Sequence, residues 1–360
     1  MIRVGLVGCG WWAAHAHVPA IDAHPDAALV AASDPDPARL ATVTAGSPQL
    51  RGFSTVEEML AVSDLDVMVV ASPAAFHAQA ARAGLLNEVS VLVEKPFTLH
   101  ASEAHDLVRL ATTRRLGLSV SLPYQYTAAA RAIRTLLAEG ALGDLVGVHA
   151  VFESYAAPLY SGDVDEYLRR VNRPHALAPL PGTYADVAIA GGGHGQSQTS
   201  HVVSALLDAT GARPERIAGE SVFASPGMDT ANAISLRLAG SAGSAGSAVA
   251  TIFSSGGALP GLPAQQTITY LGTAGSARHD LATATLDWAV PDGTGGHVEP
   301  AEGESDYPNG APVSTLIDAV AQVRAGHSDE PLLQLTAGAE RAARAVEVIE
   351  RLYREDAGRN

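Results

Sequence analysis

Val89-Ser90-Val91-Leu92-Val93-Glu94-Lys95-Pro96 is an apolar, β-branched run that ends in an acid, a base and a proline. A run without alternation reads as a strand buried on both faces. Ligands of open parallel sheets bind just beyond the carboxyl ends of such strands, so Glu94 and Lys95 fall where chemistry would be. A charged pair closing a strand is, taken alone, more often solvated punctuation, and its weight depends on its surroundings.

Those surroundings are regular. Ile2 to Val7 reads as a strand that runs into Gly8-Cys9-Gly10-Trp11-Trp12-Ala13, and Ala14 to Ala23 can continue as a helix. The two glycines let the backbone turn tightly and approach a pyrophosphate, Ala13 allows close helix–strand packing, and the helix start offers free N–H groups. A second strand, Ala27 to Ser33, ends at Asp34, about 20 residues on, where an acid meets adenosine ribose hydroxyls. Asp34-Pro35-Asp36-Pro37 also reads as a turn before a helix, and the two readings are compatible. Val67 to Ala71 ends in Ser72-Pro73, and the helix from Ala74 to Leu86 carries His77 in its first turn, by itself a capping or packing residue. A helix from Ala101 to Arg115 and a strand from Leu116 to Leu122 complete the alternation. This is the pattern of a doubly wound α/β domain with a parallel sheet, here assigned to residues 1–122.

The chain has 360 residues, 47% of them apolar, enough for two cores. Its net charge of −15, from 38 acids and 23 bases, argues against nucleic acid or an anionic membrane as partner and favours a small molecule. Cys9 is the sole cysteine, which excludes an internal disulfide and a thiolate metal site. No apolar span is long enough to cross a bilayer and the first residues already read as a strand, so the expected compartment is the cytoplasm.

Beyond Tyr126 the texture changes. Thr127 to Ala138 reads as an amphipathic helix, and strands are expected at Leu145–Ser154, Ile217–Ala224, Ala233–Leu238, Ala248–Ser254, Gln266–Leu271 and Ala277–Asp287. Short turns between neighbours predict a mostly antiparallel open sheet in an α+β domain over residues 123–360, with a C-terminal helix over 336–354. Gly240 to Ser247 reads as a flexible hairpin tip and Pro291 to Gly310 as loop. Apolar strands such as Ala248 to Phe253 need cover, which predicts a homodimer or homotetramer through this sheet. Gly191-Gly192-Gly193 is a turn or a linker, followed by His194, Ser197, Gln198 and His201 before an apolar helix. Residues four apart share a helix face, so Ser197 and His201 can point together, although His201 alone reads as a buried helix histidine.

The Gly8-Cys9-Gly10 turn, Ser72-Pro73…His77, Glu94-Lys95-Pro96, Glu139 to Leu145, Leu271 to Ser276 and the helix from Thr336 to Tyr353 together resemble the glucose-fructose oxidoreductase, inositol dehydrogenase and rhizopine-catabolism (Gfo/Idh/MocA) family. The resemblance spans nearly the whole chain. It implies hydride transfer between a nicotinamide and a secondary alcohol or ketone carbon of a sugar, sugar derivative or cyclitol, with Lys95 and His201 as catalytic groups. Gly8, Gly10, Trp11, Trp12, Ala13, Asp34, Ser72, Pro73, His77, Glu94 and Lys95 would then face the cofactor, and Tyr124, Tyr126, His194, Ser197 and Gln198 the substrate. Where the family carries Asp-x-x-x-His, this chain has Ser197 and His201, a hydroxyl in place of a carboxylate. Asp34 favours NAD over NADP, because it would repel a 2′-phosphate, with Arg39 as the opposing charge. No metal is expected, since His194 and His201 are seven apart across a turn with no carboxylate to complete a site. Two other readings remain on the same scaffold: an enzyme that oxidises a sugar only transiently with tightly held NAD, and a non-catalytic NAD-binding sensor.

Overall fold

The computed structural model describes residues 1–45, 49–171, 178–241 and 246–357. The chain forms two compact units, the first of residues 1–121, 174–183 and 309–343, the second of residues 122–173, 184–308 and 344–360.

The first unit holds a parallel sheet of β1 (Ile2–Val7), β2 (Ala27–Ser33), β3 (Arg51–Phe53), β4 (Val67–Val70), β5 (Ser90–Val93) and β6 (Leu118–Val120), in the order β3-β2-β1-β4-β5-β6. The order reverses direction at β1, so the carboxyl ends of β1, β4 and β5 are neighbours on one edge. β4 and β5 are buried at every residue, which is why their sequences do not alternate. Helix Ala311–Arg324 packs Val313, Leu316 and Ile317 into the same core as Val4, Leu6, Val69 and Leu92. The sequence-based division at residue 122 put all of 309–343 in the second domain, whereas their packing groups them with the first unit. β3 was not anticipated, because Arg51-Gly52-Phe53 is too short and too polar to show a period.

The second unit is built on an eight-stranded sheet: β7 (Leu145–Glu153), β8 (Arg213–Ser225), β9 (Met228–Ala239), β10 (Ser247–Ser255), β11 (Gln266–Gly272), β12 (Ser276–Asp280), β13 (Thr285–Ala289) and β14 (Gly295–Val298). The order is β14-β13-β12-β11-β7-β10-β9-β8, antiparallel throughout except between β7 and β10. In β10 buried and exposed residues alternate without a break until its last residue. The inner face packs on helices Ala128–Ala138 and Ser200–Thr210, through Ile133, Leu137, Val203, Leu206 and Leu207. Every residue of Ser200–Thr210 is buried, so that helix carries no polar stripe.

Two expectations in this unit need amending. The single strand foreseen from Ala277 to Asp287 is two strands joined by a turn with Ala284 at φ 54°. β14 lies within the stretch read as loop. The hairpin tip read at Gly240 to Ser247 falls in part on residues 242–245, which lie outside the described residues. The outer face of the sheet leaves Val146, Val249, Phe253 and Leu271 about half exposed, at 46–58%. Among the described residues no helix is long and apolar enough to cross a membrane.

Candidate functional site

In the first unit the sequence-marked residues converge on the strand ends. Gly8 has φ +88°, and a Cβ there would meet Ser72 N at 2.6 Å and Ala71 C at 2.7 Å, so only glycine lets the β1 turn lie this close to the end of β4. The Cys9 N–H donates to Asp34 Oδ2 at 2.8 Å and the Asp36 N–H to Asp34 Oδ1 at 2.9 Å, which ties the end of β2 to the glycine turn. Each carboxylate oxygen keeps a second lone pair for a ligand hydroxyl. Arg39 Nη1 stands 3.4 Å from where a Gly10 Cβ would be, and its guanidinium pairs with Asp36 at 3.7 Å. Burial, with Asp34 beside it, pushes the Cys9 thiol up to about 12, so it stays protonated at neutral pH. A helical run covers Trp11 to Asp22, widened to a π turn at Ala13–His17. Tight turn, small Ala13 and acid at the β2 end fit a dinucleotide.

Glu94 is the hub of this half. Its Oε1 accepts from Trp12 Nε1 at 2.9 Å and lies 2.8 Å from His17 Nε2, and its Oε2 accepts the Lys95 N–H at 3.0 Å. Trp12 and His17 are five residues apart. In an α-helix that spacing separates side chains by about 140°, whereas a turn bonded i to i+5 brings them to one side. The bond from Val18 N to Ala13 O is of that kind. Burial raises the Glu94 pKa, but the His17 hydrogen bond and charge, with Ser121 and Lys95, outweigh it and hold the carboxyl at about 2. Burial lowers the Lys95 ammonium below the usual lysine value, and Glu94 opposes it in part. His77 is buried, with Nε2 2.7 Å from Ser72 O and Nδ1 2.8 Å from Pro96 O, so it ties the end of β4 to the end of β5 as a packing residue.

In the second unit the triple glycine is a turn wrapped on a carboxylate that sequence reading passed over. Asp229, fully buried, accepts from Gly193 N (2.9 Å) and Tyr353 Oη (2.7 Å) on Oδ1, and from Gly195 N (2.7 Å) and Asn232 Nδ2 (2.9 Å) on Oδ2. The turn passes into a second π turn, Gly195–Thr199, and then helix Ser200–Thr210. Ser197 sits inside the π turn, and its Oγ is 2.6 Å from Tyr160 Oη. His194 is completely buried, with Nε2 2.8 Å from Ser254 Oγ and Nδ1 3.3 Å from Tyr160 Oη. The expectation of a direct substrate contact by His194 is thereby corrected, because the ring is enclosed in the protein's own network. The His201 ring meets Tyr124 edge-on at 5.5 Å and Tyr307 at 5.9 Å, and stacks on Phe152 at 6.3 Å. Tyr124 Oη donates to Gln266 Oε1 at 2.9 Å. Tyr126 and Gln198 are partly buried. Tyr160, Asp229, Ser254, Tyr307 and Tyr353 carried no local signal, since each is brought in from a distant element. Among the described residues no group of three or more His, Cys, Asp or Glu is placed to hold a metal ion.

A parallel sheet with a glycine turn at its switch point defines the first unit as a dinucleotide-binding fold. Residues 2–122 match the family described as oxidoreductase family, NAD-binding Rossmann fold. The chain is 34% identical over 165 residues to dTDP-3,4-didehydro-2,6-dideoxy-alpha-D-glucose 3-reductase of Streptomyces antibioticus, covering 45% of this chain and 49% of that protein. It is 32% identical over 170 residues to inositol 2-dehydrogenase of Leifsonia xyli subsp. xyli, covering 45% of this chain and 50% of that protein. The chain thus spans about half the length of these curated relatives. In fold it is similar to the WlbA dehydrogenase of Bordetella pertussis, crystallised with NADH and UDP-GlcNAcA, with a TM-score of 0.71, 20% identity and coverage of 100% of this chain and 97% of that one.

Two predictions follow from the buried carboxylates. The folded pKa of Glu94, about 2, lies below its ordinary 4.5, so the stability it contributes is present above about pH 4.5 and is lost as pH falls through about 2. Glu94→Gln is expected to lower stability at pH 7 and to flatten the acid limb of urea-unfolding free energy across that window; an unchanged acid limb would refute the pairing. Asp229→Ala leaves two turn N–H groups and the Tyr353 hydroxyl without their acceptor, and is expected to cost about 3–5 kcal/mol in the same measurement. A cost below about 1 kcal/mol, the range of ordinary surface changes, would show that the turn does not depend on it.

Proposed function

We propose that the protein is an NAD-dependent oxidoreductase that moves a hydride between the nicotinamide and a secondary alcohol or ketone carbon of a sugar, sugar derivative or cyclitol. The observation that carries this reading is Lys95. It stands at the end of β5, whose neighbour β4 lies beside the Gly8 turn, and burial destabilises its charged form. Bound on the Gly8–Ala13 turn, a nicotinamide supplies the hydride acceptor or donor. Lys95, with its ammonium weakened, holds the reacting hydroxyl and can take or return its proton at Nζ. His201 is the second acid–base group, kept in one ring orientation by Tyr124, Phe152 and Tyr307. Tyr126, Gln198 and Ser197 offer polar groups to a polyhydroxylated substrate. The names of the relatives, a dTDP-sugar reductase and an inositol dehydrogenase, support that substrate class. A buried, protonated lone thiol fits a cytoplasmic protein.

Turnover with NAD across a panel of cyclitols, aldoses and nucleotide sugars, followed as NADH formation, is the direct test. Lys95→Ala and His201→Ala are each expected to lower kcat by about 10²-fold or more while NAD affinity in calorimetry stays nearly intact. A protein that bound NAD and turned over nothing would be a sensor, and product formation without net NADH would indicate transient oxidation; either result overturns the reading.

Asp34 favours NAD by offering acceptors to the ribose and repelling a 2′-phosphate. NAD is expected to bind more tightly than NADP, and Asp34→Ala to narrow the gap, because Arg39 remains beside the turn. Equal affinities in the unaltered protein would defeat the assignment. The outer sheet face around Val249, Phe253 and Leu271 is proposed to be covered by a second copy of the chain. Light scattering at micromolar concentration is expected to show a dimer or tetramer, and a monomer would remove that proposal.

A further inference from the structure

His77 opens helix His77–Leu86, is 1% exposed and takes no part in the proton transfer proposed above. Its two ring nitrogens meet two backbone carbonyls: Nε2 is 2.7 Å from Ser72 O and Nδ1 is 2.8 Å from Pro96 O. A carbonyl oxygen only accepts. A neutral imidazole carries one N–H, so it would satisfy one contact and aim a nitrogen lone pair at the other oxygen. Turning the ring over is no remedy, because carbons would then stand where the nitrogens are, and C–H···O contacts lie at about 3.3–3.6 Å. The imidazolium, a donor at both nitrogens, fits both distances.

The forces on that charge are opposed. Burial is the largest and draws the ring's pKa down, and the start of a helix works in the same direction. Hydrogen bonds to Pro96 and Ser72 and the charge of Glu94 act to raise it. The geometry decides between them: both contacts have the length of charge-assisted bonds, and the neutral ring cannot make both. His17 differs. Its Nε2 meets Glu94 Oε1 at 2.8 Å while its buried Nδ1 has no hydrogen-bond partner among the described residues, so a single N–H serves it.

We infer that His77 is a buried imidazolium that ties the end of β4 to the end of β5 and supplies a fixed positive charge for Glu94, so that Lys95 can release its proton without leaving that carboxylate uncompensated. His77 is thus a positioning residue for Lys95, and the inference rests on the reading of Lys95 as an acid–base group. Glu94 links the two, because its charge favours the protonated form of each. With one of them bonded at both ends to carbonyls, the other is the one whose proton can be spared.

The ring state is read directly in ligand-free protein carrying histidine-15N, with the His77 signal assigned through its contacts to Ser72 and Pro96. Both ring nitrogens are expected to be protonated at pH 7. A neutral ring in either tautomer would overturn the proposal, and this measurement needs neither a substrate nor a variant. Lys95 is the sole lysine of the chain, so a lysine side-chain label follows its titration alone. In His77→Gln the Lys95 midpoint is expected to rise by about 1 pH unit or more, because a neighbouring like charge is gone. In His77→Arg, which keeps the charge on a side chain with several donors, it is expected to stay close to that of the unaltered protein. Equal midpoints in the two variants would show that His77 acts on Lys95 through packing and not through charge. With any compound of the panel that is oxidised, His77→Gln is expected to move the acid limb of the kcat/KM profile to higher pH, and an unmoved limb would count against the link to Lys95. If no compound is oxidised, the oxidoreductase reading falls, while the ring state of His77 and the Lys95 midpoints still decide this one.

Discussion

A buried carboxylate must be surrounded by donors, and that requirement shapes the edge of the first sheet. Glu94 is carried into the interior at the end of a strand that is buried throughout, where an uncompensated charge would cost several kcal/mol. Trp12, His17, Ser121 and the Lys95 backbone supply the compensation. Their sources are the turn after β1, the strand end after β6 and the Glu94–Lys95 peptide itself. The arrangement cannot be satisfied unless the glycine turn and the strand ends lie in register. The glycine turn and the lysine are thus held by one electrostatic condition, and Lys95 inherits its position from it.

The second unit solves the same problem with different parts. Asp229, carried on β9, binds the N–H groups on either side of His194, so the three-glycine stretch is a fixed loop around an anion and no linker. Glycine is needed because the backbone itself approaches the acid: a Cβ on Gly193 would meet Asp229 N at 2.8 Å. Both loops then open into π turns, Ala13–His17 and Gly195–Thr199. Each spends an extra residue to aim side chains that an unbroken α-helix would send apart. In the first unit these are Trp12 and His17; in the second the turn presents Ser197 to Tyr160 while His201 starts the buried helix.

What was legible in the sequence is what local pattern determines. The buried runs of β4 and β5, the alternation of β10 and the tight turn at Gly8 each announce themselves through their own neighbours. The partners of the functional side chains are another matter. Asp229, Tyr160, Ser254 and Tyr353 sit on a strand, a short helix, another strand and the last helix. Nothing in their immediate sequence marks them, because their role exists only once the sheet brings them together. The same holds for β3 and β14, whose pairing is imposed by a neighbouring strand and not by their own composition. The helix after His201 misleads for the opposite reason: being buried all round, it has no amphipathic signature by which to judge which face a histidine occupies.

The exchange of a carboxylate for Ser197 has a consequence that geometry alone does not repair. A carboxylate near an imidazole stabilises its protonated form, and a hydroxyl supplies only a dipole in its place. The oxygens of Asp229 are already engaged by two backbone N–H groups, an amide and a tyrosine. His201 is packed among Tyr124, Phe152 and Tyr307. In the first unit, by contrast, burial does weaken the charged form of Lys95, with Glu94 opposing it in part.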